Sequence, residues 1–297
     1  MTYEKKTIEH NIVVVHPLPT TEELKSYYNT QYYQTADGNK TTYDTIYTEE
    51  ELEHKNLESK ISIHALENYV AKSSEKLSLV EFGCGEGFFL NQAAKVGWDV
   101  QGVDFSKFGI AKWHPHLMDN FIVGDSYDYI KKCEADDKKF DVCVLRNVLE
   151  HLIDPVFFLN ELRKILNPGG FVLITVPNDY SPIQKLAMDL NHIDKEFWFA
   201  PPDHLYYFNT TNIRPFVEDN GFQVLDMYSS FPVDFFLFHP GSNYAKEKTK
   251  GKDAHFARIH LDLLIAQGGI EKAYQLYRSL AECGMGRDFT ILLKANA

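Results

Sequence analysis

Through the middle of the chain, apolar runs of three to six residues alternate with stretches whose apolar side chains recur every three or four positions. The runs at 77–82, 98–103, 121–123, 140–145 and 171–176 read as strands. Between them, 88–96, 106–113, 127–133 and 155–166 read as helices, the last stopped by Asn167-Pro168-Gly169-Gly170. Strands alternating with helices predict a parallel sheet covered by helices on both faces. Ahead of this block, 51–73 places Leu57, Ile61, Ala65, Leu66 and Val70 at helical spacing, with Glu and Lys opposite. Behind it, 179–210 is a long connection holding Pro201-Pro202, Phe197, Trp198, Phe199, Tyr206, Tyr207 and Phe208. A connection of that length in a compact domain is functional or disordered, and its aromatic content argues for an ordered segment over a pocket. A helix at 211–219, a strand at 222–227, helices at 254–266 and 270–281, and a last strand at 289–294 complete the pattern. The expected organisation is a tyrosine-rich lid or appendage at 1–50, a core at 51–231 and a helical insertion at 232–286. A closing core strand follows at 287–297.

Composition narrows the function. The 297 residues are 44% hydrophobic and 24% charged, which excludes wholesale disorder. A formal net charge of −12 opposes a polyphosphate backbone, so nucleic acid is not an expected partner. The opening residues hold no apolar leader, and no window nears the roughly 18 apolar residues of a membrane span, so a cytoplasmic protein with no membrane partner is expected. Cys84, Cys133, Cys143 and Cys283 form no C-x-x-C pair and are expected as free thiols. The tyrosines bunch early, at 27, 28, 32, 33, 43 and 47, and make a candidate lid whose rings exclude water.

The chemistry concentrates where the first core strand meets its helix, at Glu81-Phe82-Gly83-Cys84-Gly85-Glu86-Gly87. Glycine there permits positive φ and close approach of a ligand, at the carboxyl end of a parallel sheet where ligands bind. A dinucleotide fingerprint starting at Gly83 would need glycine at position 88, which is Phe88, so a nicotinamide dehydrogenase is disfavoured. Glu81 would repel pyrophosphate but suits a cationic group. Asp104 ends the second strand, where a carboxylate can take both ribose hydroxyls of an adenosine. Asp125 follows the third strand and can meet an exocyclic amine or cap the next helix.

With these residues in place, the chain resembles the class I S-adenosylmethionine-dependent methyltransferases over about 55–230 plus the final strand. The resemblance is carried by VEFGCGEG (80–87), VQGVDFS (100–106), Gly124-Asp125, FDVCVLRNVLEHLIDP (140–155) and LNPGGFVLITVPN (166–178). It implies a Rossmann-like α/β fold: one seven-stranded, mostly parallel sheet whose last strand is antiparallel. It implies S-adenosylmethionine as cofactor, with Glu81, Gly83, Cys84 and Gly85 around the methionine portion and Asp104 on the ribose. Phe105 would then pack on the adenine, with Asp125 and Ser126 at its amino edge. Arg146 and, from the candidate lid, Tyr28 and Tyr33 complete the expected contacts.

Methyl transfer from a sulfonium is an in-line displacement, so the protein must align the acceptor, exclude water and, for a hydroxyl, remove a proton. His151, in Glu150-His151 after the fourth core strand, is the first candidate base; a packing role beneath the following helix is open to it as well. His204, beside Asp203 in the long connection, is the rival, with an aromatic minicore as its plain alternative. Relatives of the quinone O-methyltransferase type carry further acids near the histidine that hold a divalent metal. Here Asn147 stands three residues before Glu150, behind Arg146, and no metal site is expected. Arg146, His192 and Arg287 can also pair with an anionic substrate. These residues predict methyl transfer to a hydroxyl of a small polar acceptor, such as a sugar or a cell-surface or secondary-metabolite precursor. Transfer to an amine, or to carbon of a quinone-like aromatic, stays open. So does a cofactor-binding scaffold without turnover, with the helical insertion as a candidate homodimer surface.

Overall fold

The computed structural model describes residues 2–27, 46–70 and 76–296. A hairpin of β1 (Glu4–Thr7) and β2 (Val13–His16) and a short α1 (Thr21–Tyr27) open the chain. Helix α2 (Glu49–Glu67) leads into β3 (Ser78–Phe82), α3 (Phe88–Lys95), β4 (Asp99–Asp104), α4 (Phe108–Trp113), β5 (Phe121–Val123), α5 (Ser126–Ala135), β6 (Phe140–Arg146), α6 (Pro155–Lys164) and β7 (Leu166–Pro177). Then come α7 (Pro182–Asp189), β8 (Tyr206–Tyr207), α8 (Ile213–Asp219), β9 (Phe222–Ser229), α9 (Gly251–Ala266), α10 (Ile270–Glu282) and β10 (Asp288–Ala295).

The main sheet has the order β5-β4-β3-β6-β7-β10-β9, with β10 antiparallel to both of its neighbours. It is the seven-stranded, mostly parallel sheet expected from sequence. Its strands are buried on both faces because helices cover both. Val80, Phe82, Leu145, Ile174, Val176 and Ile291 pack under α5, α6 and α8, while Leu79, Val142, Val144, Leu173 and Leu292 pack under α2 and α3. The two sets alternate along each strand, as a period of two requires.

Helix starts are set by local chemistry. Thr48 and Glu51 form a capping box at α2, Asp154 caps α6 ahead of Pro155, and Ser181 with Gln184 boxes α7. Helix α6 ends at Lys164 rather than at the Asn167-Pro168 stop. Leu166 already pairs with Phe140, so the proline and glycines fall inside the start of β7. Helix α2 likewise ends at Glu67, short of the expected 73.

The hairpin β1-β2, helices α1 and α7, and strand β8 were not expected from sequence. Strand β2 pairs antiparallel with β8 through Val13↔Tyr207 and Val14↔Tyr206. Residues from both ends of this pairing, Val15, Leu24, Ile193, Trp198, Leu205, Tyr207 and Leu237, share a satellite core. The long connection is therefore ordered by the N-terminal segment. No helix among the described residues is long and apolar enough to cross a membrane.

Candidate active site

Strand β3 delivers Glu81 to the carboxyl edge of the sheet, where Gly83, Gly85 and Gly87 take φ of +66°, +53° and +76°. L side chains rarely adopt such angles, and a Cβ on Gly83 would lie 2.5 Å from Val148 Cγ2. Strand β4 ends at Asp104, whose Oδ2 accepts the Gly85 N–H and whose Oδ1 accepts the Ser106 N–H, each at 2.9 Å. A carboxylate has about four acceptor positions, so these two N–H groups do not exhaust it.

Glu81 is 2% exposed, and its Oε2 has no hydrogen-bond partner among the described residues. Burial pushes its carboxyl up to about 8, against the pull of Arg146 and with Asp104 adding to the rise. The Nε of Arg146 is also buried with no hydrogen-bond partner among the described residues. An unpaired carboxyl and an unpaired guanidinium nitrogen in one place are complementary to the ammonium and carboxylate of an amino acid. Phe105 in the turn after β4 and Phe108 at the start of α4 are exposed and offer an apolar face of the kind an adenine ring packs on. The donors present thus fit S-adenosylmethionine.

After β6 the chain passes through Asn147 at φ +55° into a single turn of 3-10 helix, Leu149–His151. The long connection is stitched to this turn by the Leu205 N–H on the Glu150 carbonyl at 2.8 Å. The two candidate bases therefore meet: the rings of His151 and His204 lie 4.9 Å apart, edge to face at 83°. His151 Nδ1 is 2.7 Å from the Asp203 carbonyl oxygen. A carbonyl only accepts, so Nδ1 carries the proton and Nε2 keeps its lone pair. Burial lowers the His151 pKa, with Asp203 opposing, and pushes His204 down to about 3, with His151 and Arg287 adding to the fall. Burial thus favours the neutral form of both imidazoles and leaves His204 a very weak base.

Glu150 lies beneath the pair, 1% exposed, with neither oxygen hydrogen-bonded among the described residues. Burial pushes its carboxyl well up, and the charges of Asp288, Asp179 and Asp203 add to that against one main-chain N–H. Its Oε1 lies 3.7 Å from His151 Nε2. One ligand atom each from Glu150, His151 and His204 fall within 4.8 Å of one another, an arrangement that can also hold a divalent cation. The sequence block at 146–154 showed too few donors for such a site because the third comes from the long connection.

Other expected residues divide. Asp125 Oδ1 caps α5, accepting the N–H groups of Tyr127 at 2.8 Å and Asp128 at 3.2 Å, so the cap role is present; Ser126 opens that helix. The Cys84 thiol turns into the core against Gly102, where an added Cβ would lie 2.8 Å from Sγ, and its main chain belongs to the glycine loop. Arg287 is engaged by Asp179 at 3.1 Å, and the His192 ring packs on Phe238. Tyr28 and Tyr33 lie outside the described residues. Tyr47 and Lys55 went unassigned in the sequence. Both bind the Glu86 carboxylate over the glycine loop, at 3.0 and 3.1 Å, and the Tyr47 ring packs on Trp113. Tyr47 belongs to the early tyrosine run, whereas nothing in the sequence marks Lys55.

A family model described as a methyltransferase domain matches residues 50–227. A probable S-adenosylmethionine-dependent methyltransferase of Mycolicibacterium smegmatis is 28% identical over 156 residues, covering 52% of this chain and 54% of that protein. A ubiquinone biosynthesis O-methyltransferase of Pelagibacter ubique is 30% identical over 122 residues, covering 40% of this chain and 51% of that protein. The chain thus spans about half the length of the curated relatives it matches. Among solved structures, a SAM dependent methyltransferase from Archaeoglobus fulgidus superimposes with a TM-score of 0.49 at 19% identity, over 83% of this chain and all of that one.

Proposed function

Because the chain belongs to the methyltransferase-domain family, we propose that it transfers the methyl group of S-adenosylmethionine to a hydroxyl of a small polar acceptor, with a sugar or a related metabolite precursor as the favoured class. The cofactor supplies an electrophilic methyl on a sulfonium, leaving the protein to bind, orient and move one proton. Glu81 and Arg146 hold its amino-acid end, Asp104 its ribose, and Phe105 and Asp125 its adenine.

His151 Nε2 takes the hydroxyl proton as the oxygen–carbon bond forms. The 2.7 Å contact of His151 Nδ1 with the Asp203 carbonyl carries this assignment, because it holds the ring in the tautomer a base requires. The edge of His204 fixes the ring from the side, so His204 is a positioning residue.

The test is transfer of labelled methyl groups to a panel of sugars and catechols by wild type and His151→Ala. A general base contributes about 10²–10⁴-fold, so a drop of at least about 10² is expected. The thermal shift given by S-adenosylhomocysteine should stay, since a ligand at about 100 times its Kd adds roughly 2.7 kcal/mol whichever side chain is at 151. Undiminished transfer by His151→Ala overturns the assignment and favours an acceptor that arrives as a neutral amine.

A further inference from the structure

Helix α2 grips the glycine loop through the one charged side chain of Gly83–Gly87. That residue, Glu86, stands between Gly85 and Gly87, both at positive φ, and its side chain is 13% exposed. The Tyr47 hydroxyl, just ahead of the Thr48 cap, shares its proton between the two carboxylate oxygens at 3.0 Å from each. Lys55 Nζ, two turns into α2, lies 3.1 Å from Oε2. Their surroundings are aromatic. The ammonium sits 4.5 Å from the Tyr47 ring centroid and 5.2 Å from that of Phe88, and Trp113 packs on both rings. Burial by itself would lower the Lys55 pKa, but Glu86 and Tyr47 outweigh it and raise it. Burial raises the Tyr47 pKa, so that hydroxyl keeps its proton and donates.

The main chain of Glu86 is held as well. Its carbonyl accepts the His114 Nδ1 proton at 2.8 Å, and the Gly87 N–H turns back to the Cys84 carbonyl at 2.8 Å. Neighbours of Lys55 fix α2 in turn: His54 binds Asp262 of α9 at 2.7 Å, Glu51 binds His255 of α9 at 2.9 Å, and Asn56 binds Gln92 of α3 at 2.7 Å. A loop of alternating glycines loses more backbone freedom on ordering than any other, and only Cys84 and Glu86 give it side chains to restrain it. Cys84 ties it to the core; Glu86 ties it to α2.

We propose that Tyr47 and Lys55 are positioning residues for the cofactor: through Glu86 they hold the Gly85–Gly87 turn in its binding shape before the cofactor arrives. This rests on the methyltransferase function proposed above. A ligand whose site is formed in only a fraction of molecules binds more weakly by that fraction. Loss of the grip therefore appears as lost cofactor affinity, with the groups that touch the cofactor unchanged.

Calorimetry of S-adenosylhomocysteine binding, with amide hydrogen exchange of the free protein, tests it. Lys55→Met keeps the stem against Phe88 and removes the charge, and should weaken binding about tenfold, the effect of one charge-assisted hydrogen bond. Glu86→Gln should weaken it to a similar degree, and the double variant no further than either single one, because the two residues make one contact. Exchange at 83–88 should quicken in Lys55→Met while β6 and β7 stay as in wild type. Tyr47→Phe loses a single hydroxyl and carries the same test if Lys55→Met misfolds, with a loss of at least about threefold. Affinity within about twofold of wild type in the variants, additive losses in the double variant, or unchanged exchange at 83–88 overturns the proposal. Failure of S-adenosylhomocysteine to bind wild type would instead overturn the methyltransferase function.

Discussion

Binding of the cofactor should release a proton from Glu81. The carboxyl is raised to about 8 in the free protein, so at pH 7 roughly nine in ten molecules hold it protonated. An ammonium group brought against the unpaired Oε2 stabilises the carboxylate and expels that proton. Calorimetry of S-adenosylhomocysteine in buffers of differing ionisation enthalpy should therefore show about 0.9 proton released at pH 7 and close to none at pH 9. Affinity should climb about ninefold from pH 6 to pH 7, as the ionised fraction climbs, and level off above pH 8. Glu81→Gln removes the titrating group without changing its shape, so it should abolish both the release and this pH dependence. Its affinity should fall most at pH 9, where wild type presents a full carboxylate. Binding that is independent of pH in wild type, or an unchanged proton release in Glu81→Gln, would refute a neutral Glu81 as the partner of the ammonium.

Glu150→Gln tests the second raised acid through stability. The native protein keeps a proton that the unfolded chain loses above about pH 4.3, so wild type loses about 1.4 kcal/mol per pH unit from this group until its native pKa is reached. As pH rises above about 4.3 the variant should therefore gain stability relative to wild type in urea unfolding; a difference that stays constant with pH would show that burial does not raise the Glu150 carboxyl. Because burial lowers the His151 pKa, the acid limb of kcat/KM should fall below pH 6.5 and be missing in His151→Ala. A limb centred above pH 7 in wild type would count against His151. Chelation with EDTA should leave turnover within about twofold, whereas a loss restored by added Mg²⁺ or Zn²⁺ would reassign Glu150, His151 and His204 as metal ligands.

Much of the architecture was legible because it is encoded over short spans. Apolar runs near five residues long and helical spacing near 3.6 mark β3 to β7 and the helices between them. Glycines at 83, 85 and 87 and acids at 81, 104 and 125 announce a ligand edge, since glycine conformation and strand ends are local matters. What the sequence left undecided depends on residues far apart in the chain. Strand β2 joins the long connection only where β8 passes it, and neither is long enough to declare itself alone. His151 and His204 read as rivals in sequence, yet packing of the long connection onto the 3-10 turn makes them one pair. The upward shift of the Glu81 and Glu150 carboxyls was invisible for the same reason: desolvation is set by what surrounds a carboxyl, not by its neighbours in the chain. The sequence alone determined the elements of the core and the place of the glycine loop with its acids; the tertiary structure decided how the His151 ring is oriented and which carboxyls burial raises, because both are fixed by long-range packing.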